Sequence, residues 1–157
     1  MTDQTTPLSG DAAGRDFALV VLAYRCAMAE TCGAQLKGCA GAWEILEAAA
    51  PRGAAGILFG CFFQFARSLL AVAERPIGWR QTLCARLCHD EWLAIGMIDA
   101  AQRGDLAGLL AAAAELIGVE GLGDVLDATQ VLACALAERG VFVCPRCVCG
   151  RTTRTLL

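Results

Sequence analysis

Apolar residues recur at helical spacing along most of the chain. The first stripe begins after Asp11 and continues to Ala50, where Pro51 ends it. Its members are Phe17, Val20, Val21, Tyr24, Met28, Cys32, Leu36, Cys39, Trp43 and Leu46. Because the glycines after Thr31 cost up to about 1 kcal/mol each inside a helix, we expect a break near that residue.

The rest of the chain predicts four more helices. Residues 53–74 carry apolar side chains around nearly the whole circumference, which predicts a central helix surrounded by others. A turn at Arg75-Pro76-Ile77-Gly78 separates it from an amphipathic helix. The remaining predicted helices are 79–102, an alanine-rich 106–117 capped by Asp105, and 125–139 capped by Asp124.

These elements predict an all-α fold, a compact bundle of five or six helices with a short C-terminal cysteine-rich knuckle. At 157 residues the chain fits one domain with one core. We expect a flexible arm over residues 1–12, a helical bundle domain over 13–140, and a cysteine-rich knuckle with a polar tail over 141–157.

Charge argues against nucleic acid as a partner. The net charge is -3, and the 13 basic residues are scattered rather than clustered. Only 18% of residues are charged against 57% apolar, so most helices must bury more than one side.

No stretch predicts a membrane span or an export signal. The longest run without charge ends at Ala66, and Arg25 interrupts the other long apolar run, Phe17 to Ala29. The chain does not begin with the basic start, apolar stretch and small-residue cleavage site of a signal peptide, so we expect a cytoplasmic location. In a reducing cytoplasm the ten cysteines are expected to be thiols available for packing, metal binding or redox chemistry, rather than disulfides.

The sharpest chemical motif is Cys144-Pro145-Arg146-Cys147, which follows a predicted short strand, Val141-Phe142-Val143. Two thiolates separated by two residues can bind one tetrahedral metal ion. Residues 141–150 resemble a zinc-ribbon knuckle, which implies structural zinc. The pattern departs from that family because Cys149 precedes Gly150 and no second Cys-x-x-Cys follows.

A four-ligand zinc site would recruit Cys149 and one further group, for example Cys134, His89 or a second chain. Two alternatives stay open at this motif: a cysteine-bearing tail without a ligand, and a dithiol exchange site. The second lacks the thioredoxin-like βαβ pattern.

A second pair of thiols, Cys84 and Cys88, lies one turn apart on the predicted helix 79–102. Such a pair can chelate a soft metal, and Cys26, Cys61 and Cys134 also fall on predicted helices. In outline this resembles the bacterial copper storage proteins, helical bundles whose cysteine-lined interiors bind Cu(I). The alternative for those three cysteines is packing, since free cysteine behaves as a small buried hydrophobe.

No catalytic set is recognised, so we expect a protein that is not an enzyme. The single histidine, His89, rules out a carboxylate-bridged di-iron motif and points away from Cys88 on the predicted helix. Glu91 lies on an apolar stripe, where an unpaired buried carboxylate is costly. It is therefore expected to pair with Arg80 or Arg67, and the alternative is that it serves a site.

The function predicted from the sequence is therefore a thiol-rich helical accessory or interaction protein with structural zinc at Cys144, Cys147 and Cys149. Its expected partner is another protein or a second copy of the chain. The alternative is a cytosolic protein that binds or stores Cu(I) or another soft metal.

Overall fold

The computed structural model describes residues 12–33, 44, 47, 48, 53–81 and 84–145. Within these residues it contains five long helices and no strand, which confirms the all-α class. The helices are α1 (Ala12–Thr31), α2 (Ala54–Val72), α3 (His89–Arg103), α4 (Leu106–Ile117) and α5 (Leu122–Glu138). The predicted arm over residues 1–12 lies outside the described residues except for Ala12, which begins α1. Most of the predicted helix over 34–50 also lies outside them.

Helix α1 is the most completely buried helix of the described chain. Every residue from Leu19 to Ala29 is buried. The predicted break near Thr31 is confirmed: the Thr31 hydroxyl donates to the carbonyl of Ala27 at 2.7 Å, and Gly33 has a φ of 67°. Glycine adopts this left-handed conformation without a steric penalty, and the helix ends there.

Helix α2 begins and ends close to its predicted bounds, but the prediction of burial on all sides is wrong. One face is buried, including Leu58, Phe62 and Leu69, whereas Ile57 is 56% exposed. By length and composition alone α2 could cross a membrane, and the mostly buried core helix of a soluble protein passes the same test. The apolar pattern shows which side chains of a helix are apolar, but it does not show how many neighbouring elements cover them.

Four helices contact one another in a closed order. Helix α1 packs on α2, α2 on α5, α5 on α3, and α3 touches α1. Helix α4 packs against α3 outside this ring. The core therefore lies between α1, α2, α3 and α5, and α3 is shared by the ring and α4.

Helix α3 is shorter than predicted. It begins at His89 rather than near Trp79, and the described residues between α2 and α3 are not helical. We call residues 73–88 the α2–α3 connector; its residues 82 and 83 lie outside the described part of the chain. The predicted end of α3 is confirmed within one residue, at Gly104, whose φ is 69°.

The two predicted caps differ in outcome. Asp105 caps α4 as predicted, since its carboxylate accepts from the Gly108 amide at 2.9 Å. Asp124 does not cap α5: that helix begins at Leu122 after Gly121, which leaves Asp124 in the first turn. A carboxylate there still stabilises the helix through its dipole.

Candidate functional site

A buried ion pair joins α1 to α3. Arg25 is 1% exposed and Glu91 is 0% exposed. The Arg25 Nε donates to Glu91 Oε1 at 2.6 Å, and Nη2 donates to Oε2 at 3.1 Å. This two-point geometry is the strongest form of a carboxylate–guanidinium contact, and it aligns both groups.

The same pair binds the backbone of the α2–α3 connector. Arg25 donates to the carbonyls of Cys84 at 2.6 Å and Arg86 at 2.7 Å. Glu91 accepts from the amides of Arg80 at 3.0 Å and Cys88 at 2.9 Å. Four connector peptide groups therefore find partners here rather than in a helix, which explains why α3 starts late.

Glu91 is paired with an arginine, as predicted, but the predicted partners, Arg80 and Arg67, are wrong. Its cationic partner is Arg25, and Arg80 contributes its backbone amide rather than its side chain. Burial raises the pKa of Glu91, but the hydrogen bonds from Arg25, Arg80 and Cys88 outweigh burial and hold it below its ordinary value. Glu91 is therefore an ionised carboxylate that holds Arg25 and the connector backbone, and it cannot serve as a proton donor near neutral pH.

A second carboxylate fixes the start of the connector. Arg75 donates two hydrogen bonds of 2.7 Å to Asp90, and the Gly78 amide donates to the same carboxylate at 2.7 Å. The hydrogen bonds from Arg75, aided by Gly78, lower the pKa of Asp90 against the opposing effect of burial. Two consecutive residues at the N-terminus of α3 thus hold the connector at two places.

Tyr24 lies beside this cluster with its ring packed on Phe65, the ring centres 6.1 Å apart. Its hydroxyl is fully buried and finds no hydrogen-bond partner among the described residues. Burial, followed by the charges of Glu91 and Cys88, raises the pKa of Tyr24 well above its ordinary value. The phenol therefore stays neutral.

The two predicted chelating thiols of the connector do not share a helix face. Cys84 lies in the non-helical connector and Cys88 immediately precedes α3. The thiol of Cys88 donates to the carbonyl of Gly78 at 3.4 Å, which is a bond within the connector. The helical spacing on which this pairing was based is wrong, since no helix spans residues 84–88.

The other candidate ligands are spread over the fold. Cys134 is exposed on α5, where its sulfur accepts from Gln130 at 3.3 Å, and Cys144 is half-buried beyond α5. His89 contacts Glu115 on the surface at 2.6 Å. Cys147 and Cys149 lie outside the described residues. Among the described residues no three of these ligand types come together, and no two cysteines form a disulfide.

The segment that leads into Cys144 is not a strand, but side chains hold it in place. Gln102 donates to the carbonyl of Val141 at 3.0 Å and accepts from the amide of Val143 at 2.8 Å. Between them the amide of Phe142 donates to Asp16 at 3.1 Å. Val141 and Val143 are buried and Phe142 is exposed, which is the alternation that made the sequence resemble a strand.

Arg25 is a structural residue that was not among those predicted from the sequence. Its signal was a single charge in the otherwise apolar run from Phe17 to Ala29. A guanidinium inside such a run must find an acid and further acceptors, and Glu91 on its own apolar stripe was the complementary signal. Comparisons with protein-family models, curated proteins and solved structures returned no match for this chain.

Proposed function

We propose that this chain is a non-catalytic, cytoplasmic interaction protein, a helical bundle whose C-terminal cysteines bind a structural zinc ion. Cys144, Cys147 and Cys149 would supply three thiolates, and Cys134, His89 or a second chain the fourth ligand. The zinc would order the end of the chain as part of a docking surface.

One observation carries the metal part of this proposal. Residues 141–143 are bound to the fold by Gln102 and Asp16, so Cys144 is held half-buried at the edge of the core. An anchored first ligand lowers the entropy that a short Cys-x-x-Cys turn loses when it closes on a metal.

Exposed apolar side chains support the interaction part. Val119 is 74% exposed, Leu106 63%, Val131 59% and Phe142 55%. Single exposed apolar residues are ordinary, but a chain with only 18% charged residues has few charged side chains to separate them on its surface.

The surroundings of the one histidine support the non-catalytic part. Among the described residues no nucleophile contacts it, and it forms an exposed contact with Glu115.

The test is the metal content of the full chain, purified without added metal or chelator. We expect about one zinc per chain, lost in a Cys144→Ser, Cys147→Ser variant. The matched control is Cys32→Ser, Cys61→Ser, which changes two thiols outside the proposed site and should retain the zinc.

Two results would contradict the proposal. If the purified wild-type protein contains no metal, the C-terminal thiols do not bind structural zinc. Several copper ions per chain that survive the Cys144→Ser, Cys147→Ser change would favour the Cu(I) alternative.

A further inference from the structure

The α2–α3 connector carries a local charge opposite to that of the whole chain. It contains Arg75, Arg80 and Arg86 but only one acid, Glu74, in a protein of net charge -3. The acids that follow it, Asp90 and Glu91, are buried and bind the connector itself. The described residues of the connector therefore carry more basic than acidic side chains.

Two of its arginines are available to a partner. Arg75 is paired with Asp90, whereas Arg80 and Arg86 are exposed. In the described part of the chain neither of these two side chains forms an ion pair with an acid. A guanidinium presents a rigid fork of donors that matches a carboxylate at two points.

The backbones of Arg80 and Arg86 are fixed on the same buried ion pair. The Arg80 amide donates to Glu91, and the Arg86 carbonyl accepts from Arg25. Arg25 and Glu91 in turn contact each other at 2.6 Å. Chains of this length between helices are usually functional or disordered, whereas the described residues 80, 84, 86 and 88 of this one are held by hydrogen bonds to buried side chains. A fixed surface loses less entropy on binding than a mobile one.

We propose that the described residues 79–81 and 84–88 of the α2–α3 connector form a docking surface for an acidic peptide segment of a protein partner, with Arg80 and Arg86 as its contact residues. This inference rests on the proposed function as an interaction protein and names the chemistry of its partner. Carboxylates of the partner would meet the two guanidiniums, and the half-buried Trp79 beside Arg80 would add apolar contact. The net negative charge of the rest of the chain disfavours a long polyanion such as nucleic acid.

Binding is tested with the full-length protein and a short fluorescein-labelled peptide of alternating glutamate and alanine, followed by anisotropy at low salt. The Arg80→Gln, Arg86→Gln variant should bind roughly tenfold more weakly than wild type. The matched control, Arg15→Gln, Arg67→Gln, removes two exposed arginines from α1 and α2 and should change the affinity less than about twofold.

A second variant separates charge from conformation. Arg25→Met, Glu91→Met replaces the buried ion pair with apolar side chains and keeps both surface arginines. With helix content retained in circular dichroism, the affinity should still fall, because the backbones of Arg80 and Arg86 lose the buried partners that hold them.

Four outcomes would overturn the proposal. They are no binding of the glutamate peptide by wild type, equal losses in the Arg15→Gln, Arg67→Gln control, equal binding of a lysine–alanine peptide, and full competition by a single-stranded oligonucleotide at matched charge. Zinc content measured on the same samples reports on the C-terminal site separately. Failure here is therefore distinguishable from failure of the metal proposal.

Discussion

The connectors on either side of the α3–α4 pair are fixed by different physical means. The α2–α3 connector, residues 73–88, is held by the side chains of Arg25, Asp90 and Glu91. The α4–α5 connector, residues 118–121, is held by glycine conformations: Gly118 has a φ of 87° and Gly121 a φ of 74°. One connector depends on buried charge, and the other depends on the absence of a side chain.

Both connectors meet the C-terminal end of α2, which makes the comparison direct. A Cβ on Gly118 would lie 2.7 Å from the Glu74 carboxyl carbon, and one on Gly121 would lie 2.8 Å from Val72 Cγ1. Charge fixes a long irregular segment because many peptide groups need partners. In a short connector, glycines that fit closely against neighbouring side chains are sufficient to fix the backbone. The two should therefore respond differently to mutation and to pH.

The largest effect is expected from splitting the buried ion pair. Arg25→Met leaves the buried Glu91 carboxylate without its cationic partner and the carbonyls of Cys84 and Arg86 without their donor. We expect a loss of about 3–5 kcal/mol in the free energy of unfolding. Urea denaturation measures it. The double variant Arg25→Met, Glu91→Met should be more stable than the single variant, and a double variant that is less stable would contradict an uncompensated buried charge as the cause.

A smaller loss is expected at the α4–α5 connector. Gly121→Ala places a Cβ against Val72 at a positive φ, which should cost about 1–3 kcal/mol. The control is Gly123→Ala, where a Cβ meets nothing within 4 Å inside α5 and should be neutral or stabilising by up to about 1 kcal/mol. Equal effects at the two positions would show that the backbone conformation of Gly121 is not decisive.

Acid should weaken the charged connector and spare the glycine connector. The pKa of Asp90 is lowered in the folded state, so its contribution is present above its ordinary value of 3.8 and is lost as pH falls through the folded pKa. The stability gap between wild type and Asp90→Asn should therefore narrow below about pH 4. The gap for Gly121→Ala should stay constant, as thermal unfolding at several pH values will show.

The smallest effect is expected at Tyr24. Tyr24→Phe removes a buried hydroxyl that has no partner among the described residues and keeps the ring contact with Phe65. The variant should be as stable as wild type or more stable, by up to about 1 kcal/mol. A clear destabilisation in urea denaturation would mean that the hydroxyl is hydrogen-bonded in solution.

Helices with local determinants were predictable from the sequence. The bounds of α4 follow from Asp105 and Gly118, and the end of α1 from Thr31 and the glycine after it. Local propensity, capping residues and periodicity are all encoded within a few residues, so one sequence suffices to locate such elements.

The start of α3 was not predictable in that way, and neither was the arrangement of Cys84 and Cys88. Residues 79–88 have helical periodicity, but the carbonyls of Cys84 and Arg86 accept from Arg25, which lies more than 50 residues earlier in the chain. Local patterns contain no information on such a distant donor. The candidate thiol pair depended on that helix, while the prediction that Glu91 is paired depended only on the cost of burying it and was confirmed.

The ion pair between α1 and α3 also constrains how this sequence can evolve. A lineage that loses Arg25 alone, or Glu91 alone, passes through a variant with an unpaired buried charge. Positions 25 and 91 are therefore expected to change together or not at all. Because the same two side chains bind the peptide groups of Arg80, Cys84, Arg86 and Cys88, a lineage that replaces both would also have to rebuild the connector. The two positions and the connector should be inherited as one unit.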